Sequence, residues 1–181
     1  MSIALNHFSD LAVLETDRLR LNPLNMHFLS QEYVNWMNDE KVNRHLTSGG
    51  DYTLEKLAAY LKEVEDNPKY FWAIILKETD QHLGNIKIDP IDLNLLWGEY
   101  GIMIGDRNAW GKGIAKEASR TVIDFCFNTL NLKQINLGVK KNNSKAIHLY
   151  EKLGFKINPQ STPKTTTVAH YRMSLINPSL A

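Results

Sequence analysis

Between residues 18 and 24 polar and apolar side chains alternate, with Leu19, Leu21 and Leu24 set among Arg18, Arg20 and Asn22. That is the period of a half-buried strand. From 27 to 38 the apolar residues Phe28, Leu29, Tyr33, Val34, Trp36 and Met37 recur at helical spacing, and Thr53 is a threonine N-cap for a second helix. Residues 47–51, Thr-Ser-Gly-Gly-Asp, have the composition of a flexible loop between them. Two apolar runs, 70–76 and 82–88, flank a polar turn and predict a β-hairpin, and a third strand over 95–104 leads into a glycine-rich turn.

A long helix follows that turn, its stripe Ile114, Ala118, Val122 and Phe125 spaced to pack on a sheet. Residues 134–139 predict a strand and 143–153 a short helix ended by Gly154, a residue suited to the left-handed position after a helix. A last strand over 169–175 closes the pattern, after a loop of Ser, Thr, Pro and Lys at 159–167. The order of strands and helices predicts a mixed α/β sheet.

The 181 residues suit a single domain, 1–181, whose core removes roughly 70% of the unfolded chain's surface from water without a metal or disulfide. With 21 Lys and Arg against 20 Asp and Glu, the net charge is +1, too small a field for nucleic acid or an anionic membrane. The first eight residues lack a basic leader pattern, and no stretch approaches the roughly 20 apolar residues of a membrane span. The only cysteine, Cys126, sits between Phe125 and Phe127 and reads as a core residue in a reducing, cytoplasmic setting. The six histidines show no metal-ligand spacing, so no metal is expected.

The candidate chemistry lies at Gly111-Lys112-Gly113-Ile114-Ala115, a strand-to-helix turn that can present backbone N–H groups to a phosphate. A Walker A loop fails, because Asp106 stands at its first glycine and Gly113 at its metal-binding hydroxyl; a dinucleotide fingerprint fails because Lys116 stands at its third glycine. A ligand-free tight connection is the plain alternative.

The turn resembles the [QR]-x-x-G-x-[GA] loop of the GNAT superfamily of acetyl-CoA-dependent N-acetyltransferases, with Asn108 at the [QR] position. The string Trp110 to Ala118 looks like the RimJ/RimL-type branch. Asn143, Ala146, Tyr150, Lys152, Gly154 and Phe155 match a second family pattern, N-x-x-A-x-x-x-Y-x-K-x-G-F. The resemblance implies a largely antiparallel central sheet with a splayed strand pair, flanked by helices. It also implies direct transfer of an acetyl group from acetyl-CoA to a primary amine, on a protein N-terminus, an amino sugar or a small amine, by a monomer or homodimer. A noncatalytic acyl-CoA-binding or regulatory domain on the same fold is the alternative.

Under the resemblance Tyr150 is the candidate general acid, protonated at neutral pH and expected beside the coenzyme sulfur, or else a packing residue. Glu99, on the strand entering the loop, is the candidate base, or else faces solvent; alternation groups it with Trp97, Gly101 and Met103. Met103 and Ile104 match positions whose backbone holds the pantetheine arm, and Asn108, Gly111, Lys112, Gly113, Ile114 and Ala115 the phosphate-binding turn. Lys112 and Lys116 fit phosphate contacts, although such lysines more often form a solvated helix face. Asn143 fits either a coenzyme contact or an N-cap. The acceptor is expected near 36–51, including Asn43, Arg44 and His45, and near 159–170. The string Trp36 to Arg44 also looks like RimJ/RimL-type members.

Overall fold

The structure is a computed structural model that describes residues 11–46, 50–158 and 170–180. The leader reading of the first eight residues, part of the 47–51 loop and nearly all of the 159–170 acceptor segment lie outside the described residues. In chain order the elements are β1 (Leu14–Glu15), β2 (Leu19–Pro23), α1 (Gln31–Asn38), α2 (Glu40–Asn43), α3 (Leu54–Asp66), β3 (Tyr70–Leu76) and β4 (Gln81–Asp92). There follow β5 (Trp97–Ile104), α4 (Ile114–Asn128), β6 (Gln134–Lys140), α5 (Ser144–Lys152), β7 (Lys156–Ile157) and β8 (His170–Ile176).

The strands form one sheet in the order β1-β2-β3-β4-β5-β6-β8-β7. Every neighbouring pair is antiparallel except β5 and β6, which are parallel. The exception is the pair joined by the crossover through α4, which returns the chain in the same direction. The result is the mixed α/β, mostly antiparallel sheet flanked by helices that the pattern and the resemblance predict.

Local chemistry explains where boundaries depart from the hydrophobic pattern. The helix expected over 27–38 starts at Gln31, because the Ser30 side chain accepts from Tyr33 N at 3.1 Å and caps α1; a separate 3-10 turn, Met26–Phe28, is capped by Asn25. Asp92 Oδ1 accepts from the backbone N–H of Asn94 and Leu95, which turns the chain and delays β5 to Trp97. A register shift between Ile88 and Ile91 lets β4 run past Pro90 to Asp92, beyond the expected end at 88.

β3 lacks alternation because both of its faces are covered. Tyr70, Trp72 and Ile74 join a core with Ile114, Ala118, Val122 and Cys126 of α4, while Phe71, Ala73 and Ile75 join Val34, Trp36, Leu57 and Leu61 under α1 and α3. Cys126 is 0% exposed, and burial pushes its thiol well above the ordinary range. On the α1/α3 side the helical cover stops short of the far strands, so that Trp97, Glu99 and Gly101 of β5 and Gln134, Asn136 and Gly138 of β6 keep some exposure.

The α1/α3 core contains His82, whose ring lies 4.9 Å from both Phe28 and Trp36 and 5.6 Å from Tyr33. Its Nε2 is 3.0 Å from Gly84 O and 3.1 Å from Asn85 Oδ1. Burial holds His82 down to about 4, against an ordinary 6.5. Between those values the unfolded chain binds a proton that the folded chain excludes, so stability is fully present above 6.5 and falls as pH drops toward 4. The loss amounts to about 3 kcal/mol. Thermal melts of wild type and His82→Gln from pH 7 to 4 should show this extra acid sensitivity in the wild type and its absence in the variant; parallel curves would contradict the assignment.

Candidate active site

β5 and β6 pair only at Trp97↔Gln134, Gly98↔Ile135 and Glu99↔Asn136. β5 then continues to Ile104, held on its outer side by β4, and β6 to Lys140, held on its outer side by β8. The strands therefore part after Glu99 and Asn136, leaving a wedge with facing inner edges whose N–H and C=O groups have no ladder partner across the gap. Such edges can take an extended polar chain in the place of a missing strand. Met103 and Ile104 stand on the β5 arm near its wide end. Asn143 stands at the tip of the other arm, its backbone N–H donating to Lys140 O at 2.9 Å.

The turn after β5 is firmly built. Asp106 Oδ1 accepts from Asn108 N at 2.8 Å and Oδ2 from Gln81 Nε2 at 3.1 Å, while the Trp110 indole donates to Ile104 O at 2.9 Å. Gly111 and Gly113 adopt φ +74° and +80°, which L side chains rarely occupy. A Cβ on Gly111 would meet nothing within 4 Å, so the dihedral and not crowding demands glycine there. Gly113 is the N-cap of α4 and offers no side-chain cap. The first intrahelical bond reaches Glu117 N, so the N–H groups of Ile114, Ala115 and Lys116 have no partner within the helix and share its positive end. These features fit a pyrophosphate. The Asn108 side chain is exposed on the loop, and Lys112 is exposed beside it.

Arg18, outside the expected site, braces this turn. Its Nη1 donates to Lys112 O at 3.1 Å, its Nε to Glu117 Oε2 at 2.8 Å, and Glu117 also accepts from Thr16 Oγ1 at 2.5 Å. Those bonds hold the Glu117 carboxyl below its ordinary range despite the opposing effect of burial. They also cancel an acid that would otherwise repel a phosphate from the first turn of α4. Arg18→Ala should weaken acetyl-CoA binding by roughly 5 to 30-fold, about 1 to 2 kcal/mol, with kcat changed little. Titration calorimetry and steady-state kinetics would check this, and an unchanged affinity would remove the bracing role.

Tyr150 and Glu99 approach the fork from opposite faces of the sheet. Tyr150, 8% exposed, meets Tyr100 edge to face at 5.8 Å and Phe155 at 6.0 Å, and Tyr100 directly follows the last paired residue of β5. Tyr100 is itself fixed through its hydroxyl to Ser119 Oγ at 2.7 Å. Burial raises Tyr150 to about 12, and its hydroxyl makes no hydrogen bond to the described residues. Glu99 lies on the other face, where Arg172 Nη1 and Nη2 donate to its two oxygens at 2.6 Å each. That partnership raises Arg172 above its ordinary value. Asn143 Oδ1 accepts from Ala146 N at 3.3 Å and so caps α5, with its Nδ2 left for another partner.

The α1–α2 corner is tied to both arms of the wedge. Arg107, just after β5, pairs with Asp39 at 3.4 Å, and Lys140, at the end of β6, donates to Arg44 O at 2.5 Å. Part of the expected acceptor segment thus crosses the mouth of the wedge. Beside it, His45 Nδ1 is buried without a hydrogen-bond partner among the described residues, and desolvation, with Arg44 and Lys140 adding to it, lowers its pKa. Arg18 and Arg172 escaped the sequence reading. A charged residue in mid-strand between Tyr171 and Met173 was the available signal for Arg172; nothing local marked Arg18. Among the described residues no group of three or more His, Cys, Asp or Glu could hold a metal, and no helix is long and apolar enough to cross a membrane.

The profile of the Acetyltransferase (GNAT) domain matches residues 18–156. An uncharacterized N-acetyltransferase, p20, of Bacillus licheniformis is 40% identical over 85 residues, 47% of each chain, so the match spans about half of that relative's length. A spermidine N(1)-acetyltransferase of Vibrio cholerae is 33% identical over 104 residues, 56% of this chain and 57% of that one. The crystal structure of spermidine N-acetyltransferase from Vibrio cholerae in complex with CoA and spermine superposes with a TM-score of 0.77 at 23% identity, covering 90% of this chain and 97% of that one. With its profile match running through the wedge, the glycine turn and α5, the chain belongs to the acetyltransferase (GNAT) family.

Proposed function

We propose that the protein transfers the acetyl group of acetyl-CoA directly to a primary amine, with Tyr150 as general acid. The observation that carries this reading is the wedge between β5 and β6, which opens at one end onto the uncapped start of α4 and closes at the other between Tyr150 and Glu99. Acetyl-CoA supplies a thioester whose carbon–sulfur bond breaks as the amine nitrogen takes the acetyl group. The Gly111–Gly113 turn and the N–H groups of Ile114 and Ala115 hold the pyrophosphate, with Lys112, Asn108 and the Asn143 amide at the rim. The inner edge of β5 through Met103 and Ile104 aligns the pantetheine amides, and a backbone N–H on that edge stabilises the developing oxyanion.

Tyr150, kept protonated by burial up to about 12, gives its proton to the leaving sulfur. Glu99 takes the proton of the incoming amine. Because both of its oxygens are held by Arg172, that proton travels through water, and Arg172 fixes the carboxylate's direction. The strings Trp36 to Arg44 and Trp110 to Ala118 support a RimJ/RimL-like branch, and the buried lone cysteine supports a reducing, cytoplasmic setting for a monomer or homodimer. The test is acetyl-CoA binding by calorimetry, followed by thiol release with a panel of peptide N-termini, amino sugars and polyamines. Binding with amine-dependent thiol release is expected. Binding with no turnover on any amine would favour an acyl-CoA-binding domain, and failure to bind would sink both readings.

A further inference from the structure

A pocket of about 400 Å³ opens on the exposed face of the sheet, lined by Leu95, Trp97, Lys133, Gln134, Asn136 and Arg172. It belongs to the same place as the fork. Trp97 pairs with Gln134, Asn136 pairs with Glu99, and Arg172 holds the Glu99 carboxylate. An amine delivered to Glu99 from this face therefore leaves the rest of its molecule in the pocket. The volume is in the range of small-molecule sites.

We infer that this pocket selects a small primary amine whose body carries a carboxylate or a phosphate, the anion lying against Lys133; the inference rests on the acetyl-transfer reading above. The charge of the lining carries it. Lys133 is exposed and makes no ion pair among the described residues. Among the described residues no carboxylate lines the pocket; of those that touch a lining residue, Glu99 is matched by both Nη atoms of Arg172, and Asp92 Oδ1 is taken up by the backbone N–H groups of Asn94 and Leu95. A polycation finds no acid among the lining residues to replace its hydration, whereas an anionic group finds the Lys133 ammonium.

The neutral groups suit a polar body. Asn136 Oδ1 accepts from Gln134 Nε2 at 2.5 Å and from Ser174 Oγ at 2.8 Å. This fixes the Asn136 amide and leaves its Nδ2 donors and the Gln134 Oε1 acceptor for hydroxyl or amide groups of the acceptor. Trp97 adds an apolar wall.

Matched pairs of amines isolate the anionic group: putrescine against ornithine for a carboxylate, and glucosamine against glucosamine 6-phosphate for a phosphate. In the thiol-release assay kcat/KM should be at least about tenfold higher for the anionic member of one or both pairs, with spermidine poorer than either anionic amine. In Lys133→Glu the anionic-to-neutral ratio should fall about tenfold or more. Equal or better use of putrescine, glucosamine and spermidine would overturn the inference while leaving acetyl transfer intact. A preference that survives Lys133→Glu unchanged would overturn the pocket's part in it. If no amine is turned over, calorimetric titration of the same pairs into the acetyl-CoA-saturated protein decides separately. Tighter binding of the anionic members that is lost in Lys133→Glu upholds the pocket although the enzymatic reading falls, and equal binding overturns it.

Discussion

Replacing Tyr150 by phenylalanine should lower kcat by roughly 10² to 10⁴-fold, with acetyl-CoA affinity and thermal stability close to wild type. Phenylalanine keeps the edge-to-face contacts with Tyr100 and Phe155, at 5.8 and 6.0 Å, and so keeps the packing beneath the fork. The hydroxyl that is lost makes no hydrogen bond to the described residues, so its removal leaves no buried group unsatisfied. What disappears, in the proposed reaction, is the proton donor for the sulfur. The same assignment constrains the pH profile of the wild type: an acid raised to about 12 stays protonated, and therefore active, through the alkaline range. Turnover should rise as the amine deprotonates and then hold level to about pH 10, without the alkaline fall that an acid of ordinary pKa near neutrality would impose. Steady-state kcat, calorimetric affinity and a thermal melt on the one variant separate catalysis from folding. Unchanged turnover would remove Tyr150 from the reaction.

The second large effect belongs to the turn. In Gly113→Val a β-branched residue must occupy φ +80° and ψ 0°, at a cost of about 1 to 3 kcal/mol, or the turn must abandon its shape. Crowding contributes little, since a Cβ there would stand 3.5 Å from the nearest atom, Arg18 Nη2. A changed turn no longer aims the N–H groups of Ile114 and Ala115 together, and acetyl-CoA affinity should fall by roughly 10 to 100-fold. Titration calorimetry measures it directly; an affinity within twofold of wild type would mean that the turn's conformation does not hold the coenzyme.

Elements with strong periodicity or a distinct cap were legible in the sequence. Thr53 caps α3 and Asn143 caps α5 as their positions suggested, and Gly111 and Gly113 take the dihedrals that only glycine tolerates well. β1, β7 and α2 were not, because elements of two to four residues show no period to read. The extent of the fork was equally hidden: the residues of β5 beyond Glu99 look alike whether or not a neighbour pairs with them. The resemblance implied a splayed strand pair but could not say after which residues it opens. The Arg172–Glu99 and Arg18–Glu117 pairs join residues 73 and 99 positions apart, a distance over which composition and spacing carry no information. One occupies the carboxylate expected to act as base, and the other steadies the turn expected to hold phosphate.

Direct transfer makes a sharp demand, because Cys126 is buried at 0% exposure with its thiol held well above the usual range, and no nucleophile of the chain is asked to carry the acetyl group. The decisive measurement mixes the protein with acetyl-CoA labelled in the acetyl group, first alone and then with an amine that is turned over, and follows free thiol, labelled amine and labelled protein by mass spectrometry. Without amine there should be neither thiol release nor labelled protein, and with amine one N-acetylated product should form for each thiol freed. Labelled protein that forms before amine is added and passes its label to the amine would contradict direct transfer in the wedge between β5 and β6.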